Sequence, residues 1–96
     1  MKLLFTPQAL VELDGVLGQI REQSPQGAKR VQQRLRAAID LVARHPHAGQ
    51  RTNVPGLRRI VVTPFPYLIF YQPSADAVVV IGVRHAARDP ESMPVG

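Results

Sequence analysis

The chain has 96 residues, a formal charge of +5 and an isoelectric point near 10.8. This length predicts one domain over residues 1–96 with one modest core. The absence of cysteine excludes disulfides, thiol catalysis and cysteine-ligated zinc, and agrees with a cytoplasmic location. No apolar run approaches the ~20 residues of a membrane helix, and the N-terminal run is too short for a signal peptide. The charge favours an acidic partner, either nucleic acid or an acidic protein segment, although a soluble basic surface gives the same balance.

The N-terminal half predicts one strand and two helices. Lys2–Phe5 is an apolar run of strand length. Thr6-Pro7 and Ser24-Pro25 are typical of helix starts, because the hydroxyl caps free N–H groups and proline fits the first turn. Apolar residues then recur at helical spacing, as Leu10, Leu13, Leu17 and Ile20 in the first helix and Val31, Leu35, Ala38, Ile39 and Val42 in the second. The short connection predicts an antiparallel helical hairpin, which ends at His45-Pro46.

The C-terminal half predicts three strands. Residues 47–56 are predicted to form a loop, because they are rich in Gly, Pro, Asn and Thr. The strands are expected at 57–63, 67–72 and 77–83, with a hairpin turn at 73–76 and an aperiodic tail at 90–96. The order strand, helix, helix, strand, strand, strand predicts a two-layer α+β domain, in which the helical hairpin packs on an antiparallel sheet.

Basic and titratable side chains gather around the end of the last predicted strand, at Arg84, His85 and Arg88. RNA cleavage at the 2′-hydroxyl needs a proton acceptor, a proton donor and cations around the phosphorus. Arg59, Arg84 and Arg88 would supply the cations, and His85 or Tyr71 would transfer protons. The same residues also fit a rim that only binds an anionic partner. Simpler roles remain open, since a strand-end histidine often bonds backbone and strand tyrosines often lie in the core.

The remaining histidines do not predict a metal site. His45 and His47 flank Pro46, but a third ligand would have to come from His85 or from distant carboxylates. A histidine at the C-terminal end of a helix is explained by its favourable interaction with the helix dipole. We therefore expect no metal and no other cofactor.

Four short motifs occur in a fixed order: His45-Pro46-x-x-Gly49, Gly56-Leu57-Arg58-Arg59, Tyr67-Leu68-Ile69-Phe70-Tyr71 and Val83-Arg84-His85-x-x-Arg88-Asp89. With the order of elements, they resemble the RelE/ParE toxin superfamily of bacterial type II toxin–antitoxin systems. The resemblance covers residues 2–89. The pattern Tyr-x-Ile-x-Tyr, followed by a strand ending in Val-x-His, is closest to the ParE branch. Ala86-Ala87 offer no second titrating group beside His85, which also favours that branch over the nucleases.

The resemblance implies a toxin that is wrapped by the acidic or amphipathic C-terminal segment of a cognate antitoxin. ParE-type toxins act on DNA gyrase, and Arg59, Tyr71, Arg84, His85 and Arg88 would then bind the target without catalysis. RelE-type toxins cut messenger RNA on the ribosome, and Arg59, Tyr71, Arg84 and His85 would then be catalytic. A third alternative is an inactive member that only binds its antitoxin and regulates its operon. The expected antitoxin-binding residues are Leu10, Leu13, Leu17, Val31, Leu35 and Arg34.

Overall fold

A computed structural model describes residues 2–86. The elements are, in chain order, β1 (Lys2–Phe5), α1 (Pro7–Gln23), α2 (Pro25–Arg44), β2 (Gln50–Arg51), β3 (Arg58–Val62), β4 (Tyr67–Pro73) and β5 (Ala77–His85). The two helices cover one face of a five-stranded sheet of order β1-β5-β4-β3-β2, which confirms the predicted two-layer α+β fold. Arg88 and the tail at 90–96 lie outside the described residues. Within the described part, no helix is both long and apolar enough to cross a membrane.

Both helices begin at the hydroxyl caps that the sequence indicates. The Thr6 hydroxyl accepts a hydrogen bond from the Ala9 N–H at 3.0 Å, and the Ser24 hydroxyl accepts one from the Gly27 N–H at 3.0 Å. The Ser24 N–H also donates to the Ile20 carbonyl at 2.8 Å and so caps the end of α1. One residue therefore ends the first helix and starts the second, which holds the hairpin tight.

The sheet is mixed, because β1 is parallel to its neighbour. Lys2 lies opposite Ala77 and Phe5 lies opposite Val80, whereas the other strand pairs are antiparallel. The antiparallel meander predicted for the three C-terminal strands is confirmed for β3 to β5, and β1 lies at the edge of the sheet, where its parallel direction makes the sheet mixed. The predicted loop at 47–56 also contains the two-residue strand β2. Because β5 lies between β1 and β4, both of its edges are paired over residues 78–80, in keeping with its apolar sequence.

The main core lies between the helices and the sheet. Its buried members are Ala9, Leu17, Val31, Leu35, Ile39, Val62, Ile69, Val80 and Val83. The prediction that Leu10 belongs to the core stripe is wrong, since Leu10 is 52% exposed and Ala9 is fully buried. One residue advances about 100° around a helix. The buried face of α1 centres on Ala9 and Leu17, and this rotation turns Leu10 toward solvent.

Tyr71 fastens the end of α2 to the sheet. Its side chain is fully buried, and its hydroxyl donates to the Pro46 carbonyl and accepts from the Gly49 N–H, both at 2.8 Å. Burial raises the pKa of this hydroxyl, which therefore keeps its proton and its role as a donor. A Cβ at Gly49 would lie 2.7 Å from the Arg59 carbonyl oxygen and 2.5 Å from the Tyr71 hydroxyl, so only glycine fits this approach.

Replacing Tyr71 with phenylalanine tests this anchor. Y71F leaves the Gly49 N–H and the Pro46 carbonyl without their partner, and we expect the free energy of unfolding to fall by about 1–3 kcal/mol. Urea denaturation measures the change. The matched control is Y67F, because the half-buried Tyr67 hydroxyl has no hydrogen bond within residues 2–86, and its expected loss is below about 0.5 kcal/mol. Equal losses in the two variants would contradict the anchoring role.

Candidate functional site

An apolar groove of about 280 Å³ lies between β1 and the two helices. Its apolar lining consists of Leu3, Phe5, Leu13, Leu17, Leu35 and Ile39, and its polar lining consists of Gln32, Arg36 and Asp40. β1 is an edge strand, so the side of its backbone that faces away from β5 has no neighbouring strand among the described residues. Apolar side chains next to an open strand edge suit the binding of an extended or helical peptide segment.

Some of the residues predicted to bind a partner line this groove. Leu13 is half-buried there, and Leu17 and Leu35 contribute from the core. Val31, which is 4% exposed in the core, and the exposed Leu10 both lie outside the groove lining.

Arg34 projects from a different side of α2. Its Nε donates to the Thr63 carbonyl at 2.8 Å, and it borders a cleft with Ile60 and Val61 of β3. Two positions along a helix differ by about 200° around its axis. Arg36 therefore lines the apolar groove and Arg34 does not, and antitoxin binding by Arg34 stays a prediction.

The structure separates the residues of the predicted basic rim. The Nε of Arg59 donates to the side-chain oxygen of Gln50 at 3.4 Å, near the β2 edge. Arg84 pairs with Glu12 of α1, and β4 lies between the strands that carry the two arginines. Tyr71 is fully buried with its hydroxyl bound to main chain, so its burial contradicts the prediction that it contacts a target or substrate. Arg88 lies outside the described residues.

Glu12 completes the hydrogen bonding at the end of β5. The parallel pairing with β1 extends only to Val80, and farther along β5 the Glu12 Oε1 accepts the Val83 N–H at 2.9 Å. Its Oε2 accepts from Gln8 at 3.0 Å and forms an ion pair with Arg84 at 3.1 Å. The two charged side chains are 12% and 22% exposed, so solvent screens the pair only in part.

Sequence reasoning missed the role of Glu12. Its contact with Val83 spans 71 positions of the chain, and no local pattern signals such a contact. The Arg84 Nε is buried and has no hydrogen-bond partner among the described residues. The ion pair is therefore held by one arm of the guanidinium rather than by a two-pronged contact.

His85 borders an open cleft of about 320 Å³ together with Glu12 and Arg84. The His85 ring packs edge-on against the Tyr67 ring, with the ring centroids 5.2 Å apart. A carboxylate, a guanidinium and an imidazole around one cleft have the chemistry to bind an anion and to transfer protons. Within residues 2–86, no three His, Asp or Glu side chains form a group that could hold a metal ion.

Comparisons with known proteins agree with one another. A family model described as the ParE toxin of the type II toxin–antitoxin system parDE matches residues 3–90. Toxin RelE2 of Caulobacter vibrioides is 37% identical over 87 residues, covering 91% of this chain and 97% of that protein. The protein Y4kP of Sinorhizobium fredii is 33% identical over 85 residues, which is 88% of each chain. A chain of the chromosomal ParDE toxin–antitoxin system from P. aeruginosa has the same fold, with a TM-score of 0.76, 18% identity, and coverage of 88% of this chain and 95% of that one.

The ion pair at the end of β5 is tested by Glu12→Gln. The amide still offers an oxygen to the Val83 N–H but leaves Arg84 as a partly buried charge without its partner. We expect the free energy of unfolding to fall by about 1–2 kcal/mol in urea denaturation. Asp14→Asn removes the same charge from an exposed site on α1 and should change stability by less than about 0.5 kcal/mol. A Glu12→Gln protein as stable as the Asp14→Asn protein would show that the pair contributes nothing.

Proposed function

Because the chain belongs to the ParE toxin family of type II toxin–antitoxin systems, we propose that it inhibits DNA gyrase by binding and is held inactive by a cognate antitoxin. The observation that carries this proposal is the separation of the rim residues. Tyr71 is fixed in the core, and the guanidinium groups of Arg59 and Arg84 have partners on different elements. An inhibitor that acts by binding needs a surface whose charge and shape complement its target. A nuclease needs its catalytic side chains to converge on one phosphate.

In this scheme the whole chain, residues 1–96, is one toxin domain that acts in the bacterial cytoplasm, where gyrase works. Arg59, Arg84, His85 and Arg88 face the target, and Tyr71 holds the main chain behind them. Arg84 also fixes the end of β5 to α1 through Glu12. Substitution of Arg84 is therefore expected to affect the stability of the protein as well as its surface. For this reason His85 is the better position at which to test target binding.

The apolar groove supports neutralisation by an amphipathic antitoxin segment. Leu3, Phe5 and Leu13 offer apolar surface at the β1 edge, and Arg36 lies beside them. An antitoxin segment places apolar side chains in the groove and an acidic side chain near Arg36. Burial of the groove then removes apolar surface from water, which is the main source of affinity.

A RelE-like endoribonuclease remains the second candidate, because Glu12, Arg84 and His85 border one cleft. In that reaction the Glu12 carboxylate takes the proton of the 2′-hydroxyl and His85 protonates the leaving oxygen. Arg84 stabilises the negative charge that develops around phosphorus. The carboxylate of Glu12 must first give up its contacts with Val83 and Arg84, which counts against this reading.

Tightly controlled expression in a bacterium separates the candidates. Soon after induction we expect plasmid DNA to lose negative supercoils while transcripts remain intact, because gyrase is inhibited and RNA is not cut. Gel mobility of a reporter plasmid and the lengths of abundant messenger RNAs report the two effects. Cut transcripts with normal supercoiling would replace the proposal with the ribonuclease. Normal growth with neither effect would point to an inactive member that only binds antitoxin and regulates its operon.

The antitoxin groove is tested by Leu13→Glu. A carboxylate in the apolar lining loses hydration when a partner segment covers it, and we expect the affinity for the neighbouring-gene antitoxin to fall more than about tenfold. Isothermal titration calorimetry measures the loss. Val11→Glu is the matched control, because Val11 is 67% exposed on the same helix and lies outside the groove lining; its affinity should change less than about twofold. Equal affinities for the two variants would place the antitoxin elsewhere.

A further inference from the structure

A polar cleft of about 520 Å³ opens at the β2 edge of the sheet, at the end opposite the β1 strand that borders the apolar groove. Residues 51–58 form most of its lining, with His47 and Pro73 beside them. His47, Arg51 and Arg58 are the basic residues of the lining, and none of the lining residues within 2–86 is acidic. The charge of the lining therefore favours an anionic ligand.

The surrounding sequence reinforces this charge. Residues 41–75 contain four arginines and two histidines and no aspartate or glutamate. The seven acidic residues of the chain all lie outside this segment: Glu12, Asp14, Glu22, Asp40, Asp76, Asp89 and Glu91. This segment therefore supplies positive charge and no carboxylate to the cleft, which favours an anionic ligand.

The central cation of the cleft is fixed in place. The Nη1 of Arg58 donates to the Gly49 carbonyl at 2.8 Å and to the His47 carbonyl at 3.3 Å. A guanidinium has five N–H donors. The donors on its other two nitrogens have no acceptor among residues 2–86 and remain for a ligand at the cleft. An arginine held this way loses little side-chain freedom on binding.

The backbone around the cleft is fixed as well. The Thr52 hydroxyl donates to the Leu57 carbonyl at 2.9 Å and accepts from the Val54 N–H at 3.1 Å, which closes the loop between β2 and β3. Gly56 has a φ of +79°, a conformation that side-chain-bearing residues rarely adopt. The Tyr71 hydroxyl holds the preceding segment through Pro46 and Gly49, so hydrogen bonds fix the backbone on both sides of the cleft.

We propose that this cleft binds a backbone phosphate of a nucleic acid through Arg51 and Arg58, with His47 beside them. A phosphate accepts hydrogen bonds from several directions, and the planar fork of arginine matches it better than a lysine ammonium does. An acidic peptide is the weaker fit, because the apolar surface that a peptide would use lies in the groove at the other edge of the sheet. Its lining contains none of the residues proposed to bind gyrase or antitoxin, and the proposal does not depend on either partner.

Fluorescence anisotropy with a labelled single-stranded oligonucleotide of about 12 nucleotides tests the site on the full chain. Arg51 is exposed on a short edge strand, so Arg51→Gln should leave the fold intact, which thermal unfolding checks. We expect this variant to bind about three- to tenfold more weakly and the slope of log affinity against log salt to lose about one unit. Arg51→Lys keeps the charge but loses the planar fork, so its affinity should lie between those of the parent protein and of Arg51→Gln.

The matched control is Arg30→Gln, which removes the same charge from an exposed position on α2, and its affinity should change less than about twofold. Equal weakening by Arg51→Gln and Arg30→Gln would overturn the proposal, because it would show diffuse attraction to the whole basic surface. Inorganic phosphate is added to displace the labelled oligonucleotide. If it displaces the label as well as unlabelled oligonucleotide does at equal concentration of phosphate groups, the proposal is overturned in favour of a site for free phosphate. Polyglutamate that binds with the Arg51 dependence, while the oligonucleotide does not bind, would overturn it in favour of an acidic protein.

Discussion

The hydroxyl of Tyr71 makes the contact on which the rest of this structure depends. It lies inside the protein with one donor and one acceptor partner, and both partners are main-chain groups of the segment that leaves α2. Two of the motifs that carry the family resemblance, His45-Pro46-x-x-Gly49 and Tyr67 to Tyr71, meet at this contact. The Gly49 carbonyl in turn accepts a hydrogen bond from Arg58. Gln50 and Arg51, which follow Gly49 in the chain, form β2. A strand of two polar residues makes few contacts of its own, so these hydrogen bonds help to hold it in place.

The two edges of the sheet carry different kinds of side chain. At the β1 edge, apolar side chains such as Leu3 and Phe5 border a groove between strand and helices. At the β2 edge, His47, Arg51 and Arg58 border a cleft that has no acidic residue in its lining within the described part of the chain. In the scheme proposed for this toxin, a partner that covers the first edge leaves the second uncovered. Such separation would let an antitoxin and a nucleic acid occupy the same small domain together.

Much of the fold was predictable from local signals, because those signals are strong here. Thr6-Pro7 and Ser24-Pro25 mark helix starts, and both caps form as expected. The strand β2 was not predictable, since its two polar residues show no alternation. The parallel pairing of β1 with β5 joins residues about 75 positions apart and leaves no trace in local spacing. Leu10 was misplaced because the buried face of α1 centres on Ala9 and Leu17, and a step of one residue around the helix turns Leu10 toward solvent.

The candidate site was less predictable than the fold, because its residues act through long-range contacts. Glu12 shows no sign in the sequence of its bond to β5, and Tyr71 looks equally suited to a core or to a binding surface. Titration of purified toxin into purified DNA gyrase, with relaxed plasmid and ATP, tests the central claim most directly. The account predicts that the supercoiling activity of gyrase falls in proportion to the toxin added and stops when the toxin has saturated the enzyme. The activity should return when antitoxin is supplied. Full supercoiling at a large excess of toxin that still arrests growth would contradict it.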